Sequence, residues 1–458
     1  MIAGLKPYSS YHDTDLSSFG SVPTHWNVIP IARVAALKSI VNQPERQLLS
    51  VYLQRGVVRF VDVEEKRTNA TSQDLSRYQV VDPGDFVLNN QQAWRGSVGV
   101  SRFAGIVSPA YLVLSLSEDF LSGYANFLFR DQSLVAQYLI CSKGVGTIQR
   151  NLYWPHLKRV EVVMPPPADQ AAVVRFLNWA NGRLERAIRS KRKVIALLNE
   201  QKQAIIHGAV TRGLDPNVSL KPSGIPWLGD IPANWVITRA CRLFRQVARY
   251  DIAGNEPKMS MSRRYGLVRS EHLSNRAAQA ATNIKFSVCE PGDLVLNKYQ
   301  AHNGLFSAAQ ERGLITSNYS VFKPIDTGFT EFYALLFSSA LYRNEFRMLC
   351  QGVGDGMMPL YSSAFLKTPT LSPPAPEQQK IVSFIAEATT SLSQTVSRLE
   401  REIELLIEYR TRLVGDIVTG KFDVREAATN LPEDISLVTN YGEDSSEHID
   451  AIDEEASE

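Results

Sequence analysis

The sequence predicts an α+β protein in which two similar domains follow one another, each continued by one long helix. The first observation is an internal repeat, because the residues PGDFVLN from Pro83 return 208 residues later, from Pro291, as PGDLVLN. The same offset superposes Pro165-Pro166 on Pro373-Pro374, Asp169-Gln170 on Glu377-Gln378, and Val210-Thr211 on Val418-Thr419. A repeat of this length is a whole domain plus a helix, far longer than a solenoid unit. The second observation is an apolar stripe of helical period after each Pro-rich segment.

Each half is predicted to contain the same elements in the same order. It begins with a segment that ends in Pro-x-x-Trp, at Trp26 and, 209 residues later, at Trp235. Short β-branched or aromatic runs bounded by Gly, Pro and Asn then predict strands at 57–61, 85–89, 111–114 and 320–322. Apolar residues at helical spacing predict one helix over 123–140 and another over 329–349.

The long helices show a stripe that advances by four and three residues alternately, a repeat typical of a coiled-coil seam. The predicted seam comprises Val173, Leu177, Leu184, Val194, Leu198 and Ile205 in the first helix, and Ile381, Ile385, Leu392, Leu399, Leu406 and Leu413 in the second. Since neither helix would be stable in water with a bare stripe, we expect the two to pack on each other. Parallel pairing would put the two domains side by side, and antiparallel pairing would put them at opposite ends of a rod of roughly 60 Å.

These elements divide the chain into two α+β domains, two helices and a tail. We place the domains at 1–165 and 214–373, the helices at 166–213 and 374–425, and the tail at 426–458. The last 27 residues contain ten Asp or Glu and no Lys or Arg, which is typical of a disordered, solubilising end. An alternative is that the tail acts as a decoy for a basic surface.

Composition favours a polyanionic partner in a reducing compartment. Without the acidic tail the chain has 49 basic and 37 acidic residues, a net charge of +12. Four widely spaced cysteines form no C-x-x-C pair, and no apolar run is long enough to cross a bilayer. The N-terminus also lacks the pattern of a secretory signal, so we expect a cytoplasmic protein.

Motifs for catalysis are weak throughout the sequence. The run from Gly415 to Lys421 fits G-x-x-x-x-G-K, but Phe422 stands where a phosphate-binding loop has Ser or Thr, and the run follows a helix instead of a strand. The glycines at 144–146 and 352–356 lack G-x-G-x-x-G spacing and are interpreted as turns. No motif for methyl transfer to a base amine is found, and the seven histidines form no metal-binding pattern. We therefore expect no catalysis, no metal and no cofactor in this chain.

Two loops after the repeated Pro-Gly-Asp strands suit contact with DNA bases. Gln and Asn can bond adenine in two places, Arg and Lys reach guanine, and aromatic rings pack on bases or sugars. The candidate DNA-binding residues are Asn90, Gln91, Gln92, Trp94 and Arg95 in the first half, and Lys298, Tyr299, Gln300, His302 and Asn303 in the second. The strand and the closing glycine are shared while the polar residues differ, as expected for two frameworks that read two different sequences. The alternative is an ordinary polar surface loop.

Basic clusters in both halves could contact phosphates or could be solvated surface. They comprise Arg55, Arg59, Lys66 and Arg67 in the first half, and Lys258, Arg263, Arg264 and Arg269 in the second.

The order of these parts resembles the specificity subunit of type I restriction-modification enzymes, over roughly residues 5–425. The local matches are the Gly-x-Ile/Val-Pro-x-x-Trp segments ending at Trp26 and Trp235, the Pro-Gly-Asp strands, and the Pro-rich segments before Asp169-Gln170 and Glu377-Gln378. The second helix also ends in a family-like Thr419-Gly420-Lys421. Asp169 departs from the usual Glu, and residues 17–19 depart from the Pro-Trp-Leu seen at 226–228.

The resemblance implies a DNA-recognition subunit of a host-defence system that performs no chemistry itself. Its two target-recognition domains would each read one half of a split double-stranded DNA site, and an antiparallel coiled coil with a pseudo-two-fold repeat would set the spacer. Partners would be two modification subunits, which use S-adenosylmethionine, and two restriction subunits, which use ATP and magnesium. The competing hypotheses are a coiled-coil scaffold that joins two protein-binding domains without DNA, and an intact modifying enzyme in one chain.

Overall fold

The structure, a computed structural model, divides into two compact units that each contain one α+β domain and parts of both long helices. It describes residues 5–14, 19–53, 55–63, 74–145, 149–251, 256–273, 286–326, 329–350 and 359–432. One unit comprises the described residues of Met1–Ser190 and Glu402–Ser446, and the other comprises those of Lys191–Arg401. Lys66, Arg67, Gly146, the glycines at 352–356 and the tail from 433 onward lie outside the described residues.

The first unit contains short strands, three short helices and the beginning of the first long helix. Its elements are β1 (Tyr11–Asp13), β2 (Ser21–Pro23), β3 (Asn27–Pro30), β4 (Ala35–Lys38), β5 (Leu49–Tyr52), β6 (Gly56–Arg59), β7 (Gln79–Val81), β8 (Phe86–Asn89), β9 (Val98–Val100), β10 (Gly105–Val107), β11 (Tyr111–Leu116), α1 (Ser122–Phe129), α2 (Gln132–Cys141), β12 (Ser142–Val145), β13 (Gln149–Leu152), α3 (Trp154–Leu157), β14 (Glu161–Met164) and α4 (Pro167–Arg212). Single turns of 3-10 helix lie at Ile31–Arg33, Phe60–Asp62 and Ala93–Arg95.

The second unit follows a similar order, with an additional strand at Tyr250–Asp251. Its elements are β15 (Leu220–Pro222), β16 (Asp230–Pro232), β17 (Val236–Arg239), α5 (Ala240–Leu243), β18 (Phe244–Val247), β19 (Tyr250–Asp251), β20 (Met259–Ser262), β21 (Gly266–Arg269), β22 (Phe286–Cys289), β23 (Leu294–Asn297), β24 (Phe306–Ala308), β25 (Gly313–Ile315), β26 (Tyr319–Pro324), α6 (Thr330–Ser338), α7 (Ala340–Leu349), α8 (Ser362–Lys367), β27 (Pro369–Ser372), α9 (Ala375–Val418) and α10 (Arg425–Thr429), the last of which belongs to the first unit. Turns of 3-10 helix lie at Ser270–His272 and Ala301–Asn303.

A four-stranded antiparallel sheet forms the centre of each domain, in the order β4-β11-β8-β9 in the first and β18-β26-β23-β24 in the second. Because alternate residues of a strand face opposite sides, Phe86 and Leu88 pack among the helices while Val87 packs against the hairpin β5–β6. In the second domain Leu294 and Leu296 face the helices, and Val295 faces the hairpin β20–β21. The predicted strands are therefore found, although 57–61 ends as a 3-10 turn.

The predicted helices 123–140 and 329–349 are each divided into two helices. Asp131 interrupts the first, because its side chain accepts a hydrogen bond from the Ser133 backbone N–H and so caps a new helix. Ser339 interrupts the second with an extended backbone, ψ 155°. Apolar spacing alone did not reveal these breaks.

The long helices pack antiparallel, as predicted. In the first unit the beginning of α4 shares a core with the end of α9, and Arg410 lies 3.1 Å from Glu185. In the second unit the end of α4 shares a core with the beginning of α9, and Lys202 donates a 2.9 Å hydrogen bond to Ser393 Oγ. The predicted fold class, two tandem α+β halves with a pair of long antiparallel helices, is confirmed.

The buried stripe of the helix pair departs from the predicted seam between its ends. The six seam residues of intermediate exposure are Leu184, Leu198, Ile205, Leu392, Leu399 and Leu406, whereas Val173, Leu177, Ile381, Ile385 and Leu413 are buried. Val194 is 44% exposed and was wrongly placed in the seam. Ile188, Val396 and Ile403 are buried instead. The cause is geometric, since a helix of 3.6 residues per turn drifts relative to a strict 3.5-residue stripe.

Residues after α9 complete the first domain. Asp423 N donates to Lys6 O at 2.8 Å, and the Tyr11 hydroxyl donates to Lys421 O at 3.0 Å. Helix α10 follows, with Ala428 buried in the same core, so the predicted tail at 426–458 begins too early. The N-terminal segment thus lies beside the end of the second long helix.

Candidate nucleic-acid interface

Two loops with one shared backbone framework follow β8 and β23, and we call them the first loop (residues 89–96) and the second loop (residues 297–304). In each, the side chain of the last strand residue, Asn89 or Asn297, accepts a 3.1 Å hydrogen bond from the backbone N–H two residues on. A 3-10 turn with a fully buried alanine follows, and a left-handed glycine at φ 98° or 84° closes it. Only glycine adopts this backbone without strain, which explains why the glycine is repeated.

Backbone hydrogen bonds hold both loops against their own domains in the same way. Asn90 N donates to Ala110 O at 3.2 Å, and its carbonyl accepts from Leu152 N at 3.0 Å. Lys298 N donates to Asn318 O at 2.9 Å, and its carbonyl accepts from Leu360 N at 2.8 Å. The two frameworks are therefore equivalent, and the differing side chains are held on similar supports.

In the first loop the side chains form an aromatic and cationic surface. Trp94 Nε1 donates to Gln91 O at 2.9 Å, and the Arg95 guanidinium lies 4.6 Å from the centre of the Trp94 ring. Gln91 and Arg95 are exposed, and Gln92 is half-buried. Asn90 Oδ1 is buried and has no hydrogen-bond partner among the described residues. Donors, acceptors and a π face are thus presented together.

In the second loop all five predicted residues are half-buried. Asn303 Nδ2 donates to Gln300 Oε1 at 2.6 Å, which fixes both amides. Burial lowers the pKa of Lys298. Burial also lowers the pKa of His302, helped by the charges of Arg347 and Arg263, so the imidazole is neutral at pH 7. Within the described residues, His302 Nδ1 has no hydrogen-bond partner.

Three of the six described residues in the predicted basic clusters are engaged in ion pairs. Arg59 lies 2.7 Å from Asp62, Arg264 lies 2.7 Å from Glu400, and Arg269 forms a forked pair with Glu311. Lys258 lies over the ring of Phe286, and Arg55 Nε is buried without a partner among the described residues. Paired arginines are weaker phosphate ligands, because binding an anion would require them to leave their carboxylates.

The repeated Pro-Gly-Asp motif has a structural role in both domains. The buried Asp85 carboxylate accepts a 2.7 Å hydrogen bond from Asp82 N and pairs with Lys38. Its counterpart Asp293 accepts from Glu290 N at 2.8 Å and pairs with Arg249. The motif closes the turn that leads into the loop strand.

Sequence reasoning missed residues that the fold brings to the loops. The hairpin β12–β13 adjoins the first loop through Leu152, and it presents exposed Lys143 and half-buried Arg150. Helix α7 packs on the second loop and presents Arg343 and Arg347. A comparison of the two repeats could have found the two arginines. Val135 and Leu139 stand in the first half where Arg343 and Arg347 stand in the second.

Metal-binding clusters and membrane-spanning helices are both absent from the residues that the structure describes. No group of three or more His, Cys, Asp or Glu is arranged to hold a metal ion in this part of the chain. The helices in the described part of the chain include none that is long and apolar enough to cross a bilayer.

Three solved structures of type I restriction-modification (R-M) systems align with most of this chain. A chain from work on complex assembly and conformational transition of the type I R-M system aligns with a TM-score of 0.58 and 14% identity, covering 87% of this chain and 99% of that chain. The HsdS subunit from Thermoanaerobacter tengcongensis aligns with a TM-score of 0.42 and 16% identity, over 87% and 98%. The S subunit of a type I system from M. genitalium gives 0.33 and 12%, over 86% and 96%. No protein-family model and no curated protein matches the sequence. The resemblance predicted from the sequence is supported by the structure, and the chain has the fold of a chain from a type I R-M system.

Proposed function

We propose that this protein is the DNA-recognition subunit of a type I R-M complex, and that each domain reads one half of a split site. The observation that carries the proposal is the pair of loops, in which one framework holds two different sets of polar side chains. A protein that reads two unlike half-sites needs this combination, because the framework sets the docking geometry and the side chains select the bases. A scaffold that joins two protein-binding domains has no need of it.

The partners follow from the same proposal. Two modification subunits would bind S-adenosylmethionine and methylate the DNA, and two restriction subunits would use ATP and magnesium. This chain would supply no catalytic group, and its antiparallel helices would set the spacer and dock the modification subunits. Such a complex acts on the host chromosome in the cytoplasm, where four free cysteines are compatible with a reducing environment.

Methylation mapping tests the proposal directly. The chain is co-expressed with the modification subunit of its host, and plasmid DNA from those cells is sequenced for modified bases. We expect one split sequence to be methylated, and we expect no methylation when the modification subunit is expressed without this chain. A purified complex that methylates nothing and binds specific and random duplexes equally would contradict DNA recognition and favour the scaffold.

A further inference from the structure

Helix α7 brings two arginines to the second loop. The Arg343 side chain lies against the glycine that closes the loop, since a Cβ built on Gly304 would come within 2.9 Å of Arg343 Cδ. Arg347 lies one helical turn further on and is exposed. Neither arginine has an acidic partner within ion-pair distance in the described part of the chain, and Arg347 Nη1 donates a 3.4 Å hydrogen bond to Asn344 Oδ1.

A third arginine and a neutral imidazole lie near these two arginines. Arg263 belongs to the turn between β20 and β21, and His302 belongs to the second loop. Burial lowers the pKa of Arg343, and the charges of Arg263 and Arg347 lower it further. Burial and the charges of Arg347 and Arg263 also lower the pKa of His302. Repulsion between these neighbouring positive charges raises the free energy of the folded protein. A bound anion would relieve this repulsion.

The first domain is apolar at the equivalent positions. Val135 and Leu139 on α2 correspond to Arg343 and Arg347, and Val135 contacts the closing glycine of the first loop as Arg343 does, with Cγ2 at 3.6 Å from a Cβ on Gly96. Leu53 follows β5 where Arg263 follows β20, and Trp94 stands where the second loop has His302. The charge is therefore a property of the second domain and not of the shared framework.

We propose that Arg343 and Arg347, with Arg263 beside them, form a phosphate-binding site that holds the DNA backbone next to the second loop, and that the first domain lacks this site. The inference rests on the proposed function and adds a division of labour to it. Guanidinium groups bind phosphate oxygens through two parallel hydrogen bonds, and such contacts are independent of base sequence. The second domain then makes salt-dependent phosphate contacts at positions where the first domain has Val135 and Leu139.

The salt dependence of binding tests this site. The complex of the full chain with its modification subunits is titrated with its mapped target duplex at several salt concentrations. In the R343Q/R347Q variant, the slope of log K against log salt should become shallower by roughly 1.8, about 0.9 for each lost phosphate contact. Discrimination between the target and duplexes mismatched in either half-site should stay unchanged. An unaltered slope, or a loss of discrimination at single bases, would overturn the inference.

Two variants separate charge from folding and from total charge. R343K/R347K keeps both positive charges and should keep the slope of log K against log salt. If the slope becomes as shallow as in the glutamine variant, Arg343 only supports the loop and the inference fails. R410Q removes an arginine that pairs with Glu185 on the helices and should leave the slope unchanged. If the slope became equally shallow in R410Q, net charge alone would set the affinity. A wild-type complex with no preference for the mapped site would contradict the proposed function itself, which is a different outcome.

Discussion

The indole nitrogen of Trp26 donates a 3.0 Å hydrogen bond to the buried carboxylate of Asp169, in the first turn of α4. The second domain repeats the contact, as Trp235 Nε1 donates to Glu377 at 2.9 Å in the first turn of α9. A second donor supports each acid, His25 at 2.8 Å and Asn234 at 2.9 Å. Carboxylates are favoured at helix N-termini, so each bond fixes a long helix to the domain that precedes it.

Replacing Trp26 by Phe should lower the free energy of unfolding by about 1–3 kcal/mol, because the buried Asp169 loses a hydrogen-bond donor. Urea denaturation of the purified chain measures the change. Trp227→Phe is the matched control, since Trp227 is half-buried, packs on the ring of Tyr342 and has no carboxylate acceptor among the described residues. Equal losses in the two variants would mean that ring packing, and not the hydrogen bond, accounts for the effect.

The contact also explains why the Pro-rich segments end in Asp-Gln or Glu-Gln. Gln170 Nε2 donates to Pro165 O at 2.9 Å, and Gln378 Nε2 donates to Pro373 O at 2.8 Å. Repeated local patterns such as these were visible in the sequence because each partner is itself repeated at the same offset. The two loops were found for the same reason.

Features that depend on distant contacts were not predictable in this way. Arg264 pairs with Glu400 only after folding, so the sequence could not distinguish it from a phosphate ligand. Arg343 reaches Gly304 because α7 folds back on the second loop. Val396 and Ile403 are buried although they lie outside the predicted seam. The reason is that the buried face of a helix follows 3.6 residues per turn and not a strict heptad.

Ile403 and Leu405 test the register of the helix pair. Ile403 is 9% exposed and Leu405 is 48% exposed, although they are two residues apart in α9. Ile403→Ala should cost about 2–5 kcal/mol of stability, and Leu405→Ala should change it by no more than about 0.5 kcal/mol. Chemical denaturation of both variants is the measurement. A larger loss of stability for Leu405→Ala would mean that Leu405, and not Ile403, is the buried residue of the pair.

Gly420 tests the junction between the end of α9 and the N-terminal segment. Its φ is 84°, and an added Cβ would come within 2.5 Å of Pro23 Cδ and 2.9 Å of Trp26 Cζ3. Gly420→Ala should therefore destabilise the protein by more than about 1 kcal/mol. Gly208→Ala is the control, because this helical glycine has open space around its Cβ position and the change should stabilise by about 0.4–1 kcal/mol. Thermal unfolding should move in opposite directions for the two variants.

His302 should make stability depend on pH between its ordinary pKa, about 6.5, and its lower value in the folded protein. As the pH falls through this window, the unfolded chain takes up a proton that the folded chain resists, so unfolding becomes easier. Burial lowers the pKa of His302, together with the charges of Arg347 and Arg263. His302→Gln should therefore lose less stability than the wild type between pH 7.5 and pH 5.5, as measured by urea midpoints. Burial and the charge of Arg212 also lower the pKa of His207. Some dependence of stability on pH therefore remains in both proteins. Parallel pH profiles would contradict the prediction.

The two loops should divide the reading of the DNA site between them. Replacing Gln91, Gln92 and Arg95 by Ala should relax or abolish the recognition of one half-site only, because these side chains belong to the first loop. The matching second-loop variant K298A/Q300A/N303A should affect only the other half-site.

Methylation of a library of target variants by the reconstituted complex measures this division. Each lost base contact should reduce discrimination by about 1–3 kcal/mol, whereas loss of a phosphate contact weakens binding to all sequences alike. Arg95 has a second role, because its guanidinium covers the Trp94 ring, so R95K is the matched variant that keeps the charge without the planar stack. If both triple variants kept both half-sites unchanged, the base contacts would have to come from other elements, for which the hairpin β12–β13 beside the first loop is the nearest candidate. If one variant altered both half-sites together, the repeated domains would not read the DNA independently.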